Sequence, residues 1–83
     1  MTITVRLFAI LRERIGVDQV PITVAEGATV QTVIALLIQT NPPLRDLLPR
    51  AAFAVNQEYV PSSTPLHDGD ELAVIPPVSG GAP

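Results

Sequence analysis

The polar residues best suited to chemistry in this 83-residue sequence cluster near its carboxyl end. Asp68, Asp70 and Glu71 surround Gly69, and the single histidine, His67, precedes them. Paired carboxylates can carry out acid–base catalysis or bind a hard cation. Asp-Gly-Asp is also a common turn sequence, because aspartate side chains accept bonds from nearby backbone N–H groups. A lone histidine, with no cysteine in the chain, lacks the partners of a metal site or a catalytic triad. We therefore interpret the cluster as a turn around a solvated histidine, with an acidic docking patch as its secondary role.

The last eight residues, 76–83, are the second candidate for chemistry. Two prolines remove backbone N–H groups at the start of this segment, and Gly80 and Gly81 remove side chains near its end. The glycine pair is not typical of a phosphate-binding loop, because no helix follows to direct N–H groups at a phosphate. Six extended residues, Pro76 to Gly81, reach roughly 20 Å and could enter a narrow channel in a partner. The alternative is a frayed chain end.

Composition restricts the classes of function. The net charge is −3, all five basic residues are arginines, and both lysine and cysteine are absent. Nucleic-acid binding requires a basic face, so we expect no nucleic-acid partner. Without cysteine there is no disulfide framework or thiolate ligand, and we expect no metal or cofactor bound by this chain. No apolar run approaches the roughly 20 residues of a membrane span, and no signal peptide is evident. A cytoplasmic protein without a membrane partner is expected.

Hydrophobic periodicity predicts the elements that position the tail. A period of two over residues 2–8 predicts the first strand, and an apolar stripe from Val30 to Ile38 predicts the main helix. Residues 42–50 are expected to be irregular, and Asn56-Gln57 is expected to form a tight turn. Pro21 would point outward from its strand and is typical of a sheet edge. Thr29 is expected to cap the main helix, and Gly16 to end the first one. The predicted order is strand, short helix, strand, long helix and then short strands, over residues 2–8, 9–15, 18–24, 30–40, 53–56, 59–60 and 71–75. This order favours an α+β fold, with a domain at 1–75 and a flexible tail at 76–83. Phe8, Tyr59 and Ile75 fall on outward positions and would form a partner surface if they cluster on one side of the sheet.

Three blocks of sequence resemble the small, sulfur-carrying subunit of molybdopterin synthase, a family of ubiquitin-like β-grasp proteins. They occur in the expected order from one end of the chain to the other. The blocks are Val5-Arg6-Leu7-Phe8-Ala9 with Leu11-Arg12-Glu13 and Gly16; Ala54-Val55-Asn56-Gln57 with Val60; and Pro65-Leu66 with Asp68-Gly69-Asp70-Glu71 and Pro76-Pro77-Val78-Ser79-Gly80-Gly81. Each block alone is weak, whereas the three together with the chain length are specific.

The resemblance implies a β-grasp sheet with one crossing helix, and a non-catalytic sulfur-donor subunit of a transferase complex. In the family, an adenylyltransferase related to ubiquitin-activating enzymes uses ATP to adenylate the terminal glycine, and sulfur then replaces the AMP. The resulting thiocarboxylate donates sulfur to cyclic pyranopterin monophosphate inside the large subunit, in a heterotetramer. Gly81 would be the sulfur carrier and Gly80 would keep the channel clear. Further residues would contact the partners: Phe8, Tyr59, Ile75, Pro76, Pro77 and Val78.

The chain departs from the family pattern at its end. Family members usually end at the second glycine, whereas this sequence continues with Ala82 and Pro83. A carboxyl group in an amide bond to Ala82 cannot be adenylated, so we expect a processing protease to expose Gly81. Three alternatives stay open: a member inactive as a carrier, a sulfur carrier for thiamine thiazole or cysteine formation, and a ubiquitin-like protein modifier. If it acts as a modifier, a chain without lysine could not be extended on its own side chains.

Overall fold

The computed structural model describes residues 1–76. The elements alternate between strands and helices for the first half of the chain and are mostly strands in the second half. They are β1 (Thr2–Leu7), α1 (Ala9–Ile15), β2 (Gln19–Thr23), α2 (Val30–Thr40), two 3₁₀ turns (Pro42–Asp46 and Leu48–Arg50), β3 (Ala52–Val55), β4 (Glu58–Val60) and β5 (Glu71–Ile75). The predicted periods therefore identified each helix and strand, and the predicted irregular segment after α2 forms the two 3₁₀ turns.

The five strands form one mixed sheet in the order β2-β1-β5-β3-β4. The central pair, β1 and β5, is parallel, whereas β1–β2, β3–β5 and β3–β4 are antiparallel. A parallel pair cannot be joined by a tight turn and needs a crossover connection. Here nearly the whole chain lies between the two partners, and α2 is its longest helix. This topology confirms the predicted α+β class and the β-grasp arrangement.

The hydrophobic core lies between α2 and one face of the sheet. Ile3, Val5 and Leu7 alternate along β1 and are buried, as the period of two predicted. Leu72 and Val74 of β5 are fully buried beside them. The helix contributes its four-residue stripe, and the 3₁₀ turns add Leu44 and Leu48 to the same cluster. The buried residues of α2 are Val30, Val33, Ile34 and Leu37.

Strand β2 forms one edge of the sheet, as Pro21 predicted. Leu7 donates its N–H to the Asp18 carbonyl at 2.9 Å, whereas Thr4 donates to the Asp70 carbonyl at 3.0 Å. Odd-numbered residues of β1 therefore bond toward β2 and even-numbered residues bond toward β5. Pro21 lies opposite Thr4, so its nitrogen points to the free edge, where no N–H is required. A proline there also removes a donor that another chain could pair with.

Caps and turns follow the predicted residues closely. Thr29 and Thr32 form a reciprocal capping box at the start of α2. Gly69 has φ +87 in the turn before β5. Gly16 ends α1 with φ +92, and its N–H donates to the Arg12 carbonyl. Only glycine adopts such a φ without strain.

Among residues 1–76, no helix combines the length and the apolar character that crossing a membrane requires.

We predict that Gly16→Ala lowers the free energy of unfolding by about 1 kcal/mol, because the alanine would be held at positive φ. An added Cβ at this position meets no atom within 4 Å, so the loss would come from the backbone alone. Gly16→Asn is the matched control, since asparagine tolerates this region better and should lose less. Urea denaturation of the three proteins checks the order, and equal stability of all three would contradict it.

Candidate functional site: an open sheet face beside the root of the tail

The face of the sheet opposite α2 is formed by residues that alternate with the core residues. The register places Arg6 beside Ala73, Ala73 beside Ala54, and Ala54 beside Tyr59, in one row across four strands. Ala54 and Ala73 are buried at the middle of this row. Tyr59 at its outer end is 74% exposed. We call this surface, made of Arg6, Phe8, Ala54, Tyr59, Ala73 and Ile75, the open face.

Phe8 and Ile75 belong to the next row of the open face. Leu7 pairs with Val74 and both point into the core, so the residues that follow them point to the opposite side. Phe8 keeps an extended backbone, with φ −124 and ψ 154, and its side chain is 37% exposed. Ile75 lies opposite Ala52 and is half-buried. The structure thus brings Phe8, Tyr59 and Ile75 to one side of the sheet, although Ile75 offers less surface than the two aromatic residues.

Arg6 contacts two neighbours on the open face. Its guanidinium carbon lies 5.5 Å from the centroid of the Phe8 ring, within the range of a cation–π interaction. Its Nη1 atom is 3.9 Å from Oε1 of Glu71, and both side chains are partly exposed. An exposed pair at this distance adds little stability. Arg6 therefore orders the face more than it stabilises the fold. The sequence held a signal for this contact, since Arg6 and Phe8 are two positions apart on one strand.

The chain turns sharply directly after Phe8. Ala9 has φ +51, a conformation that residues with a Cβ adopt at a cost of roughly 1–2 kcal/mol. Such local strain concentrates at functional surfaces because the surrounding structure must hold it in place. Here the strained residue lets α1 begin immediately after β1, so that Phe8 remains beside the end of β5. Nothing in the sequence predicted a left-handed residue at this position.

Asn56 links the β3–β4 turn to the start of β5. Its side-chain Nδ2 donates to Asp70 Oδ1 at 2.9 Å, and its Oδ1 accepts from the Glu71 N–H at 3.0 Å. Its backbone N–H donates to the Glu71 carbonyl at 2.9 Å. Asn56 and Gln57 both have positive φ, as in the two-residue turns that best match strand twist. The predicted tight turn is confirmed, and the bridge across 14–15 residues is a contact that local sequence signals do not reveal.

The acidic residues near His67 bond to the backbone around them. Asp68 Oδ1 accepts from the Thr2 N–H at 2.8 Å, and Asp70 Oδ2 accepts from the His67 N–H at 2.8 Å. The His67 side chain is 82% exposed, with Nδ1 at 3.8 Å from Asp70 Oδ2. These bonds confirm the turn interpretation of the cluster. Within the part of the chain that the structure describes, no group of three histidine or acidic side chains could hold a metal ion.

The root of the tail lies at the end of β5. Pro76 directly follows Ile75 and is buried. The remaining predicted site residues of the tail, Pro77, Val78, Gly80 and Gly81, lie outside the described residues, as do Ala82 and Pro83. The described part of the site is therefore a face that could bind a protein, and the tail begins at the edge of this face. Together the mixed sheet and the crossing helix define a ubiquitin-like β-grasp domain.

Comparisons with known proteins assign the chain to a family. The model of the ThiS family matches residues 5–81. A molybdopterin synthase sulfur carrier subunit from Chlamydomonas reinhardtii is 41% identical over 83 residues, covering 98% of this chain and 100% of that protein. The chain therefore belongs to the ThiS family, and within it to the group of molybdopterin synthase sulfur carrier subunits.

Solved structures support the same assignment. The crystal structure of SAMP1 from Haloferax volcanii superposes with a TM-score of 0.83 at 32% identity, over 98% of this chain and 100% of that one. A chain of the complex between subunits 1 and 2 of the molybdopterin-converting factor from Helicobacter pylori superposes with a TM-score of 0.71 at 30% identity, over 98% and 100% of the two chains. Both likenesses extend over nearly the whole sequence, so the fold and the family rest on the entire domain.

We predict that Asn56→Ala lowers the free energy of unfolding by roughly 1–3 kcal/mol, because Asp70 loses a donor and the Glu71 N–H loses its acceptor. Gln57→Gly in the same turn is the matched control and should raise stability by up to about 1 kcal/mol, since glycine relieves the positive φ of +74. Thermal unfolding measured by circular dichroism compares the two variants. A loss in both, or in neither, would contradict the assigned role of the Asn56 side chain.

Proposed function

We propose that this protein is the sulfur-carrier small subunit of molybdopterin synthase. The observation that carries the proposal is the extent of the family match, which begins at Val5 in β1, includes the other four strands and ends at Gly81, the second glycine of the tail. A full-length relative named as the sulfur carrier subunit of molybdopterin synthase supports this branch over carriers for thiazole or cysteine formation. In this role the domain is a substrate and accessory subunit, and its partners provide the catalytic groups.

The chemistry requires only the Gly81 carboxylate from this chain. A carboxylate is a poor electrophile, so an activating adenylyltransferase first transfers AMP from ATP to it and releases pyrophosphate. A sulfur donor then displaces AMP and leaves a thiocarboxylate. In the synthase, the thiocarboxylate sulfur would bond to a carbon of cyclic pyranopterin monophosphate, and water would then cleave the carbonyl–sulfur bond. This hydrolysis leaves the sulfur on the pterin and regenerates the Gly81 carboxylate. Gly80 and Gly81 lack side chains, which suits passage of the reactive end through a narrow channel.

The open face is proposed as the surface that binds the large subunit. It presents the two aromatic residues Phe8 and Tyr59 around a floor of alanines, and Ile75 continues toward the tail. Aromatic residues are enriched among those that dominate binding energy at protein interfaces. The Helicobacter pylori relative was solved as a complex of subunits 1 and 2 of the molybdopterin-converting factor, which supports a large-subunit partner. Pro76, Pro77 and Val78 would extend this contact along the tail.

The two residues after Gly81 make a processing step part of the proposal. The carboxyl group of Gly81 is bonded to Ala82 in this sequence, and an amide cannot be adenylated. A protease that removes Ala82 and Pro83 would expose the reactive carboxylate. The family match also stops at residue 81, so the two extra residues lie beyond the matched region.

A second candidate function is that of a protein modifier. The Haloferax volcanii neighbour SAMP1 supports it, because a related Haloferax volcanii structure is described as small archaeal modifier protein 1 and has a TM-score of 0.83. In that role the activated Gly81 would form an amide with a lysine of another protein. This chain has no lysine of its own, so it could be attached singly but not extended through its own side chains.

We predict that only the form ending at Gly81 becomes a sulfur donor. Incubation with the activating enzyme, ATP and a sulfur source should give a mass change that corresponds to replacement of one oxygen by sulfur. The chain ending at Pro83 should stay unchanged under the same conditions. Molybdopterin should then form when the thiocarboxylate form meets the large subunit and the pterin precursor. Transfer of Gly81 to lysines of other proteins, without molybdopterin, would support the modifier function instead.

Intact-mass measurement of the protein from its native cell tests the processing step. We expect a chain that ends at Gly81. Recovery of protein that is active in sulfur transfer and still ends in Ala82-Pro83 would contradict the need for a protease.

We predict that Tyr59→Ser weakens binding to the large subunit about tenfold or more, as expected for an exposed aromatic residue that a partner buries. The stability of the free domain should change little, because the Tyr59 side chain is mostly exposed. Val17→Ser is the control, since Val17 is also an exposed apolar residue (47%) but lies outside the strands of the open face. Isothermal titration calorimetry with the Gly81-ended domain gives both affinities, and equal losses would count against the open face.

A further inference from the structure

The strand directions define two ends of the domain. The tail begins where β5 ends, next to the end of β1 and the first residue of β3, because Leu7 pairs with Val74 and Ala52 pairs with Ile75. Gln19 at the start of β2 is at the same end. The opposite end contains the turns that precede β5, follow β2 and connect β3 to β4. A strand of five or six residues separates the two ends by roughly 15–20 Å.

Four exposed arginines lie at the end where the tail begins. Arg12 and Arg14 belong to α1, which starts directly after β1 at that end. Arg45 and Arg50 belong to the 3₁₀ turns that join α2 to β3, and both are exposed. The end of α2 lies beside α1 and β2, because Thr40 and Asn41 line one groove together with Ile15 and Val20. We call Arg12, Arg14, Arg45 and Arg50 the arginine collar.

The carboxylates are distributed in the opposite sense. The far end contains Glu26, Glu58, Asp68, Asp70 and Glu71, all in or beside its three turns. The tail end contains Glu13, Asp18 and Asp46. Arg6 and Glu71 pair with each other across the sheet and are left out of the comparison. The other four arginines and three carboxylates give +1 at the tail end, and the other four far carboxylates give −4, in agreement with the formal net charge of −3. Within residues 1–76, Arg6 is the only arginine in an ion pair, and its partner is Glu71.

This separation of charge exceeds the distance over which salt screens exposed charges, about 8 Å at physiological ionic strength. A partner that approaches the tail therefore experiences the basic end more strongly than the acidic one. We propose that the arginine collar steers the domain, tail first, onto a protein partner whose tail-accepting channel is rimmed by carboxylates. The inference rests on the proposed function, in which the tail enters a partner.

The absence of lysine gives the collar a second property. Guanidinium groups remain protonated in proteins and do not act as nucleophiles, whereas a lysine amine can attack an activated acyl group. The tail from Pro76 to Gly81 spans roughly 20 Å when extended, which is enough to return its end to the collar. A lysine there would displace AMP from the Gly81 acyl adenylate, forming an amide and releasing AMP and a proton. Arginine provides the positive charge without this side reaction.

The steering test measures the association rate of the Gly81-ended domain with the large subunit by stopped-flow fluorescence. Arg12→Gln with Arg50→Gln should slow association about 3–10-fold at low ionic strength, because peripheral charges act mainly on the association rate. The difference should disappear in high salt. Glu26→Gln with Glu58→Gln is the matched control: it changes the net charge by the same magnitude but with opposite sign, at the far end, and it should alter the rate less than about twofold.

The direction of the change in association rate distinguishes an effect of the arginine collar from an effect of the net charge of the whole domain. If the arginine variant associates faster than wild type, the partner responds to the whole negative domain and the proposal is wrong. An unchanged rate at low salt, with normal sulfur transfer, would overturn the collar and leave the proposed function intact. If wild type forms no complex at any ionic strength, the proposed function fails and the collar fails with it.

The second test replaces two arginines by lysines and so keeps the positive charge. Arg12→Lys with Arg50→Lys should associate at the wild-type rate. In the presence of ATP and the activating enzyme, without a sulfur source, it should accumulate an internal amide, detected as a loss of water from the intact mass. Wild type should show no such product. If the lysine variant remains unmodified while its acyl adenylate forms normally, the protective role of arginine is overturned, whatever the rate measurements show.

Discussion

Parallel pairing of β1 with β5 is the constraint on which the remaining structure depends. The first and last strands of the domain lie side by side at the centre of the sheet, and every other element is inserted between them in the sequence. Such a pairing requires a crossover, which α2 and the 3₁₀ turns provide while covering one face. The pairing creates a fully buried centre, in which Val5, Leu72 and Val74 have zero exposure. The same pairing places the end of β5, where the tail begins, beside Phe8 at the end of β1.

Alternation along β5 separates the structural role of the strand from its proposed binding role. Leu72 and Val74 point into the core, whereas Ala73 and Ile75 belong to the open face. The small side chains of Ala73 and Ala54 at the centre leave the larger Arg6 and Tyr59 to shape the rim of that face. A large residue at Ala73 would change the face without disturbing the core, so the two faces can vary independently. Under the proposed function no catalytic group is required on either face, because partners would perform adenylation and sulfur transfer.

Local signals in the sequence were sufficient to predict the helices and strands but insufficient to predict the contacts between them. The period of two predicted strand β1, the apolar stripe from Val30 to Ile38 predicted helix α2, and the outward Pro21 predicted the sheet edge. These predictions were correct because each depends on a few neighbouring residues. The resemblance implied a β-grasp sheet, whereas the strand order β2-β1-β5-β3-β4 came from the structure. Neither source revealed the positive φ of Ala9, the bridge from Asn56 to Asp70, or the contact of Arg6 with Glu71. The last two features arise from residues that the completed sheet brings together, up to 65 residues apart along the chain.

The register of β5 also links the binding of a partner on the open face to the position at which the tail begins. Ile75 on the open face and Pro76 at the root of the tail are consecutive, so a partner that binds the face also fixes the starting point of the tail. A slip of one residue would move that point by roughly 3.3 Å and would turn Leu72 and Val74 out of the core. The core therefore protects the register, and through it the reach of Gly81. The hydrogen bond between the Asn56 side chain and the Glu71 N–H also holds the register at the opposite end of the same strand. Under the proposed function the domain needs a rigid strand more than a reactive side chain, since its contribution to the reaction would be the accurate placement of one carboxyl group.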